Sequence, residues 1–444
     1  MTLSRGAIGN LASRYRAVLR KCRVMNVFGA LAVAGMLVAG NAGGAGAEDA
    51  SGDISPIALS GDARHIVGGG DIRLRSADPA LRHLINVLGQ GQLDVSIPDG
   101  SSMAVGNAGG IYLRDYSDYD QYASAFHVAG SGSSGSFAGT GAFSMVGGGK
   151  LLGVCAFLSE GKGTLALSGD IAGEAEAVMN GSNGYASFAA AASGGNLFFG
   201  GDRTILRAKA STGNNANGAF VKYGGMIGFS SKSVLIESRN TDSNSVGINC
   251  ADGTVKTSAD TDLDIVVEGN KAITGIQLTA GSSDVQLAGN LNLTATQTGQ
   301  GSFASVLGIS NDSGKMAVSG PASLRLAANA PFEAKGIAAS GKAEMSFLGD
   351  VEVVVAGSAS GSALYTTYRY DYPTQAGICP VLSLGAEGKT VTLDSSGYGI
   401  NNQGGTVSLT GRRINITGGT GVFAEGGGNE DVCADVRFEG PVAI

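Results

Sequence analysis

The sequence predicts an all-β chain coiled as a parallel β-solenoid, and three observations carry that prediction. The first is a short motif, apolar-x-apolar-x-Gly, usually followed by a second alternating pair. It is written as "LALSGDIAG" at 165–173, "VQLAGNLNL" at 285–293, "MAVSGPASLRL" at 316–326, "MSFLGDVEV" at 345–353 and "VSLTGRRINI" at 407–416. The second is Gly followed by Ile or Val, at Ile248, Ile276, Ile309, Ile337, Ile378, Ile400 and Val422, with spacings of 28, 33, 28, 41, 22 and 22. The third is composition: 74 glycines in 444 residues, no tryptophan, 15% charged residues, and yet 43% hydrophobic ones.

Alternation at period two puts one face of a strand in a core and the other in water. The alternating runs are three to five residues long, too short for a stable hairpin alone. A unit of about 20–30 residues that cannot bury its own face must stack on copies of itself. Three short strands per turn, with glycine corners and no helical pattern between them, give a coil whose rungs lie about 4.8 Å apart. Val285 and Leu287, Val407 and Leu409 then form aliphatic columns inside, with Ser, Thr, Asn and Gln outside. An antiparallel sandwich or barrel would need two-residue turns between strands of similar length, whereas these corners are long and ragged.

Residues 1–47 read as a secretory signal. Six basic residues (Arg5, Arg14, Arg16, Arg20, Lys21, Arg23) precede an apolar run from Val27 to Gly40, and Ala45-Gly46-Ala47 supplies the cleavage site. The apolar run is short for a membrane span. Residues 48–140 form the N-terminal part of the solenoid or its cap. Within them "DPALRHLINVL" (78–88) predicts a short helix, with Asp78 as cap, Pro79 in the first turn and Leu81, Leu84, Ile85 and Leu88 as one stripe. Residues 141–444 are the repeats. Without the signal, 24 basic residues face 37 acidic ones. That balance, with no basic run, excludes nucleic acid as a natural partner.

Several fragments imitate catalytic motifs without their partners. "GSSMA" (100–104) places Ser102 like a subtilisin nucleophile, but Gly106 stands where that family has proline. "NDSGK" (311–315) lacks the flanking glycines of the chymotrypsin-like serine and falls at a corner. "NTD" (240–242) matches a triplet of β-helical polygalacturonases, but no histidine follows His127, so the acid–base set is incomplete. "GSGSSG" (130–135) has no helix after it, and "GKT" (388–390) has Ser383 where a phosphate loop needs glycine. Scattered histidines and cysteines offer no zinc spacing, so no catalytic residue, cofactor or metal is predicted. Cys155, Cys250 and Cys379 read as small buried hydrophobes, and Cys379 and Cys433 sit too many rungs apart for a disulfide.

Tyrosine is the non-random signal. Eight of 12 fall in two stretches: Tyr112, Tyr116, Tyr119 and Tyr122, then Tyr365, Tyr368, Tyr370 and Tyr372. The second stretch occupies the longest gap between Gly-Ile pairs, so it reads as an insertion off the shaft. Tyrosine-rich loops make large amphipathic contacts at low entropic cost, which makes these eight the candidate binding residues. The alternative is that their rings cover the shaft locally.

The rungs, the Gly-Ile and Gly-Val starts, the hydroxyl- and amide-rich exterior and the long basic leader resemble passenger domains of autotransporters (type V secretion), of the pertactin-like kind. The resemblance covers most of residues 50–444 and implies a right-handed parallel β-helix at the surface of a Gram-negative bacterium. Members of that family are commonly adhesive, and with no complete catalytic set the leading expectation is a non-enzymatic passenger that contacts a host or neighbouring-cell ligand; a β-helical polysaccharide-active enzyme and a plain stalk are the alternatives. Two features depart from the pattern: the four cysteines of the mature part, and a chain that stops at Ile444 without a translocator barrel. A barrel is therefore expected downstream or on another chain. The bare last rung, "VRFEGPVAI", predicts end-to-end association of the 444-residue chain.

Overall fold

A computed structural model describes residues 48–444, apart from 79–80, 108–110, 114–121, 150–152, 179–185, 212–214, 300–304, 330–332, 372–375 and 427–433. The expected signal, residues 1–47, lies outside the described residues. Within them every regular element is a strand, and the strands stack in parallel as a β-solenoid of about 11 turns. Each typical turn lays two strands on a broad 24-stranded sheet and one on a narrow 13-stranded sheet. One turn runs Gly253–Thr257 and Asp262–Gly269 on the broad sheet, then Ile273–Leu278 on the narrow one.

The predicted aliphatic columns are there. Val255, Val285, Met316, Met345, Leu382 and Val407 follow one another in register. Leu287, Val318, Phe347, Leu384 and Leu409 do the same one pleat further on. All lie in one continuous core. In the first half that core is aromatic: the rings of Phe143, Phe157, Phe199 and Phe229 follow one another at 4.9, 5.4 and 5.3 Å. Phe438, at the end of the second column, is only partly buried.

Strand length departs furthest from expectation in four rungs, one of them Ala63–Ser76 with 14 residues. The others, Ser134–Gly149, Thr164–Ala177 and Asn196–Ala210, are single strands of 16, 14 and 15 residues. The motif glycine does not break these three. Gly139, Gly169 and Gly201 stack on one another at φ of 125°, 109° and 95°, so each strand bends at a position where a Cβ would strike the glycine or isoleucine backbone of the rung before it.

The Gly-Ile signal marks the narrow sheet. Ile248, Ile276, Ile309, Ile337, Leu364, Ile400 and Val422 are one ladder. The glycine before each isoleucine is where the two sheets meet most closely. A Cβ on Gly275 would overlap the Leu293 methyls of the broad sheet and the Gly308 carbonyl of the next turn. Gly247 and Ile248 are therefore both buried, and consecutive residues turn inward instead of alternating.

Two expectations are corrected by this geometry. Ile378 is not a rung position: Leu364, preceded by Ala363, holds that place in the ladder. Ile378 belongs instead to an antiparallel hairpin, Arg369–Asp371 with Ala376–Ile378, inserted between two turns of the coil. The long gap does hold an insertion, but it starts later than expected: Tyr365 stays in the rung strand Ser362–Thr367, and only the hairpin leaves the coil. Second, the expected helix is not formed among the described residues of 78–88. His83–Leu88 is a narrow-sheet strand paired with Ile57–Ser60 and Tyr122–Ala129. Its burial runs out-in-in-out around Leu84 and Ile85, and this kinked pattern imitates the three-four spacing of a helical stripe.

Candidate functional site: the outward groove of the narrow sheet

Turning two consecutive residues inward has a consequence on the other side. The residues flanking the pair, two before the ladder position and one after it, both face outward and lean towards each other across the kink. They form two columns. The first runs His83, Ser124, Cys155, Phe188, Asn217, Val246, Thr274, Leu307, Lys335, Ser362, Tyr398. The second runs Asn86, His127, Leu158, Ala191, Phe220, Asn249, Gln277, Ser310, Ala338, Tyr365, Asn401, Phe423.

A first-column side chain repeatedly touches the second-column side chain of the following turn. His83 stacks on His127 at 4.1 Å, and Phe188 on Phe220 at 4.8 Å. Asn217 accepts a hydrogen bond from Asn249 at 3.3 Å. The Lys335 ammonium lies 3.4 Å from the Tyr365 ring centre, and Tyr398 meets Phe423 at 5.9 Å. The outer face of the narrow sheet thus carries a double column of side chains, a groove bridged by diagonal pairs at these five turns, in which Ser124, Cys155, Leu158 and Ala191 are fully buried.

Its first turns are polar, then aromatic. His127 bonds Asn86 through Nδ1 at 2.9 Å and faces Glu160 through Nε2 at 3.1 Å, while His83 Nδ1 meets the Ser124 hydroxyl at 2.8 Å. The imidazole of His83 is lowered from 6.5 to about 3, first by burial, then by His127 stacked on it and by Arg82. Above these lies a small second core of Tyr122, Cys155, Leu158, Phe188 and Ala191. Gly153 leaves room there, since a Cβ would strike the Phe188 ring. Lys222 donates to the Tyr122 hydroxyl at 2.8 Å and lies 4.7 Å from the centre of Tyr223, which is 71% exposed.

A depressed histidine makes stability depend on pH in a fixed direction. The unfolded chain takes up a proton near pH 6.5 and folded His83 only near 3, so stability is complete above 6.5 and is lost as pH falls through that window. Between pH 7 and 4 the first turns are expected to weaken by a few kcal/mol, about 1.4 kcal/mol per unit as the upper slope. His83→Asn removes this group, so thermal melts of the variant should lose part of the acid sensitivity of the parent. Parallel pH profiles would contradict the assignment.

Of the eight candidate tyrosines, the structure sets two in this groove at its opposite ends: Tyr122, 9% exposed, and Tyr365, half-buried under Lys335. Tyr368 packs beside Gly404 and Tyr370 lies in the hairpin, both half-buried. Tyr112 lies in the strand Ile111–Leu113, and Tyr116, Tyr119 and Tyr372 lie outside the described residues. Sequence reasoning missed His127, Phe188, Phe220, Tyr398, Asn401 and Phe423. The signal that finds them is their offset from the Gly-Ile ladder.

The motif imitations resolve into corners. Asn240 of "NTD" is buried and accepts from the backbone N–H groups of Asp242 and Ser243. Asn311 of "NDSGK" does the same for Ser313 and Gly314. The Ser102 hydroxyl donates to Asp71 at 2.7 Å on the open face of the broad sheet. Cys155 and Cys250 are fully buried and burial pushes both thiols up, as small hydrophobes. Cys379 is only half-buried, after the hairpin, and so departs from that expectation; Cys433 lies outside the described residues. Elsewhere on the surface the charges pair among themselves, as Lys209 with Glu174 at 2.5 Å and Arg239 with Glu268 at 3.3 Å.

No protein-family model matches this chain, and no curated protein or solved structure is detectably similar to it.

Proposed function

We propose that this chain is an exported, surface-displayed β-helical passenger of the autotransporter kind, which holds a ligand of a host or neighbouring cell in the narrow-sheet groove without transforming it. The observation that carries the reading is the groove itself. Aromatic, amide and hydroxyl side chains recur there in fixed register from turn to turn, which suits an extended contact surface better than one reaction centre. Its carboxylates are engaged structurally, Glu160 with His127 at 3.1 Å and Glu333 with Lys335 at 2.6 Å. The basic, apolar and small-residue order of residues 1–47 supports export.

Beads coated with the full chain are expected to adhere saturably to cultured host cells or to other bacteria, and beads carrying heat-unfolded chain are not. Adhesion that is absent, or that depletes the ligand by releasing a product, contradicts the proposal.

A further inference from the structure

We infer that the last described turns of the groove form a binding site for a neutral glycan, with Tyr398 and Phe423 as the stacking platform and Asn401, Gln403 and Tyr365 as the polar contacts. The inference rests on the binding reading above and names the class of ligand.

The first observation is an orphaned acceptor. Asn401 is 8% exposed, and its side-chain oxygen is buried and accepts no hydrogen bond. A buried carbonyl oxygen without a donor is a standing cost that an incoming hydroxyl relieves. Its neighbours in the ladder are Tyr365 on one side and Phe423 on the other, and the Ile400 beside it turns into the core. The amide is therefore set between two rings on the outer face. Asn249, in the same column, has the same orphaned oxygen.

The second observation is the aromatic frame. Tyr398 and Phe423 meet at 60° and are both partly exposed, so together they offer a faceted apolar surface next to the amide. The Tyr365 hydroxyl donates to Gln403 Oε1 at 3.1 Å, which fixes both side chains at the rim. An apolar face bordered by amides and hydroxyls matches a pyranose, whose C–H face stacks on a ring while its hydroxyls donate and accept at the edge.

The third is charge. Lys335, over the Tyr365 ring at 3.4 Å, is also held by Glu333 at 2.6 Å. Lys335 is thus already engaged, and the chain as a whole is acidic, with 37 acidic against 30 basic residues. Neutral sugars fit where anionic ones do not.

The test is calorimetry of the full chain against neutral hexose and N-acetylhexosamine oligosaccharides, with sialylated and sulfated ones alongside. Neutral oligosaccharides are expected to bind, and Tyr398→Ala and Asn401→Ala each to weaken binding by about tenfold. Asn401→Ala guards against misfolding, because the oxygen it removes holds nothing in the fold; circular dichroism of both variants should match the parent. Preference for the anionic sugars, or neutral binding untouched by both variants, overturns the inference. If coated beads adhere to cells while no oligosaccharide binds, the glycan assignment falls and the binding reading stands. If neither happens, both fall.

Discussion

Replacing Leu409 by aspartate is expected to open its own turn and the turns on either side while distant turns stay closed. Leu409 is fully buried between Leu384 and Phe438 in the inner column. The substitution removes its apolar contacts and sets an unpaired carboxylate in their place, a loss on the order of 5 kcal/mol. In a stack where each turn touches only its neighbours, that loss stays local. Hydrogen exchange should speed up from Leu382 to Phe438 and stay unchanged around Ile236 and Ile265. Protection that is uniformly retained near residue 409, or lost along the whole shaft, would contradict a rung-by-rung architecture.

The second large effect belongs to a residue with no side chain. Gly275→Val must place three carbons where the Leu293 methyls and the Gly308 carbonyl already sit. One neighbour is backbone and cannot swing away, so the narrow sheet has to leave the broad one at that turn. A loss of roughly 3 kcal/mol or more follows, at the upper end of overpacking. Gly281→Val is the control, because a Cβ there meets only the Ser313 carbonyl, at 3.9 Å. Denaturation midpoints should separate the two variants clearly; equal midpoints would remove the close approach as the reason for the Gly-Ile pairs.

Val285, Leu287, Val407 and Leu409 were legible from the sequence because period two is a property of one strand, and one face of each strand is the core. The coil followed, since strands so short must stack. What the letters concealed was the kink. Leu84 and Ile85 look like part of a helical stripe because two inward residues in succession break the strand period. Ile378 carries the right letters but sits in a hairpin, while Ala363-Leu364 does the ladder's work with the wrong ones. The groove was hidden for the same reason. Tyr398 and Phe423 stand 25 residues apart in the sequence and meet only because the register of Ile400 on Val422 brings one turn against the next. Clusters of tyrosine letters pointed to Tyr122 and Tyr365 but carried no information about their different partners.

The parallel stacking also decides how the shaft answers to force. Bonds between rungs run along its axis, so tension between its two ends does not shear a whole sheet at once. It loads the outermost ladder alone, as fingers load only the open end of a zipper. When that ladder yields, one turn unwinds and the next becomes the outermost. From Ile248 to Ile276 a turn holds 28 residues, which release about 90 Å of slack chain as they straighten. A shaft built in this way lengthens in steps at modest tension and winds back when the tension falls, with the inner turns still folded.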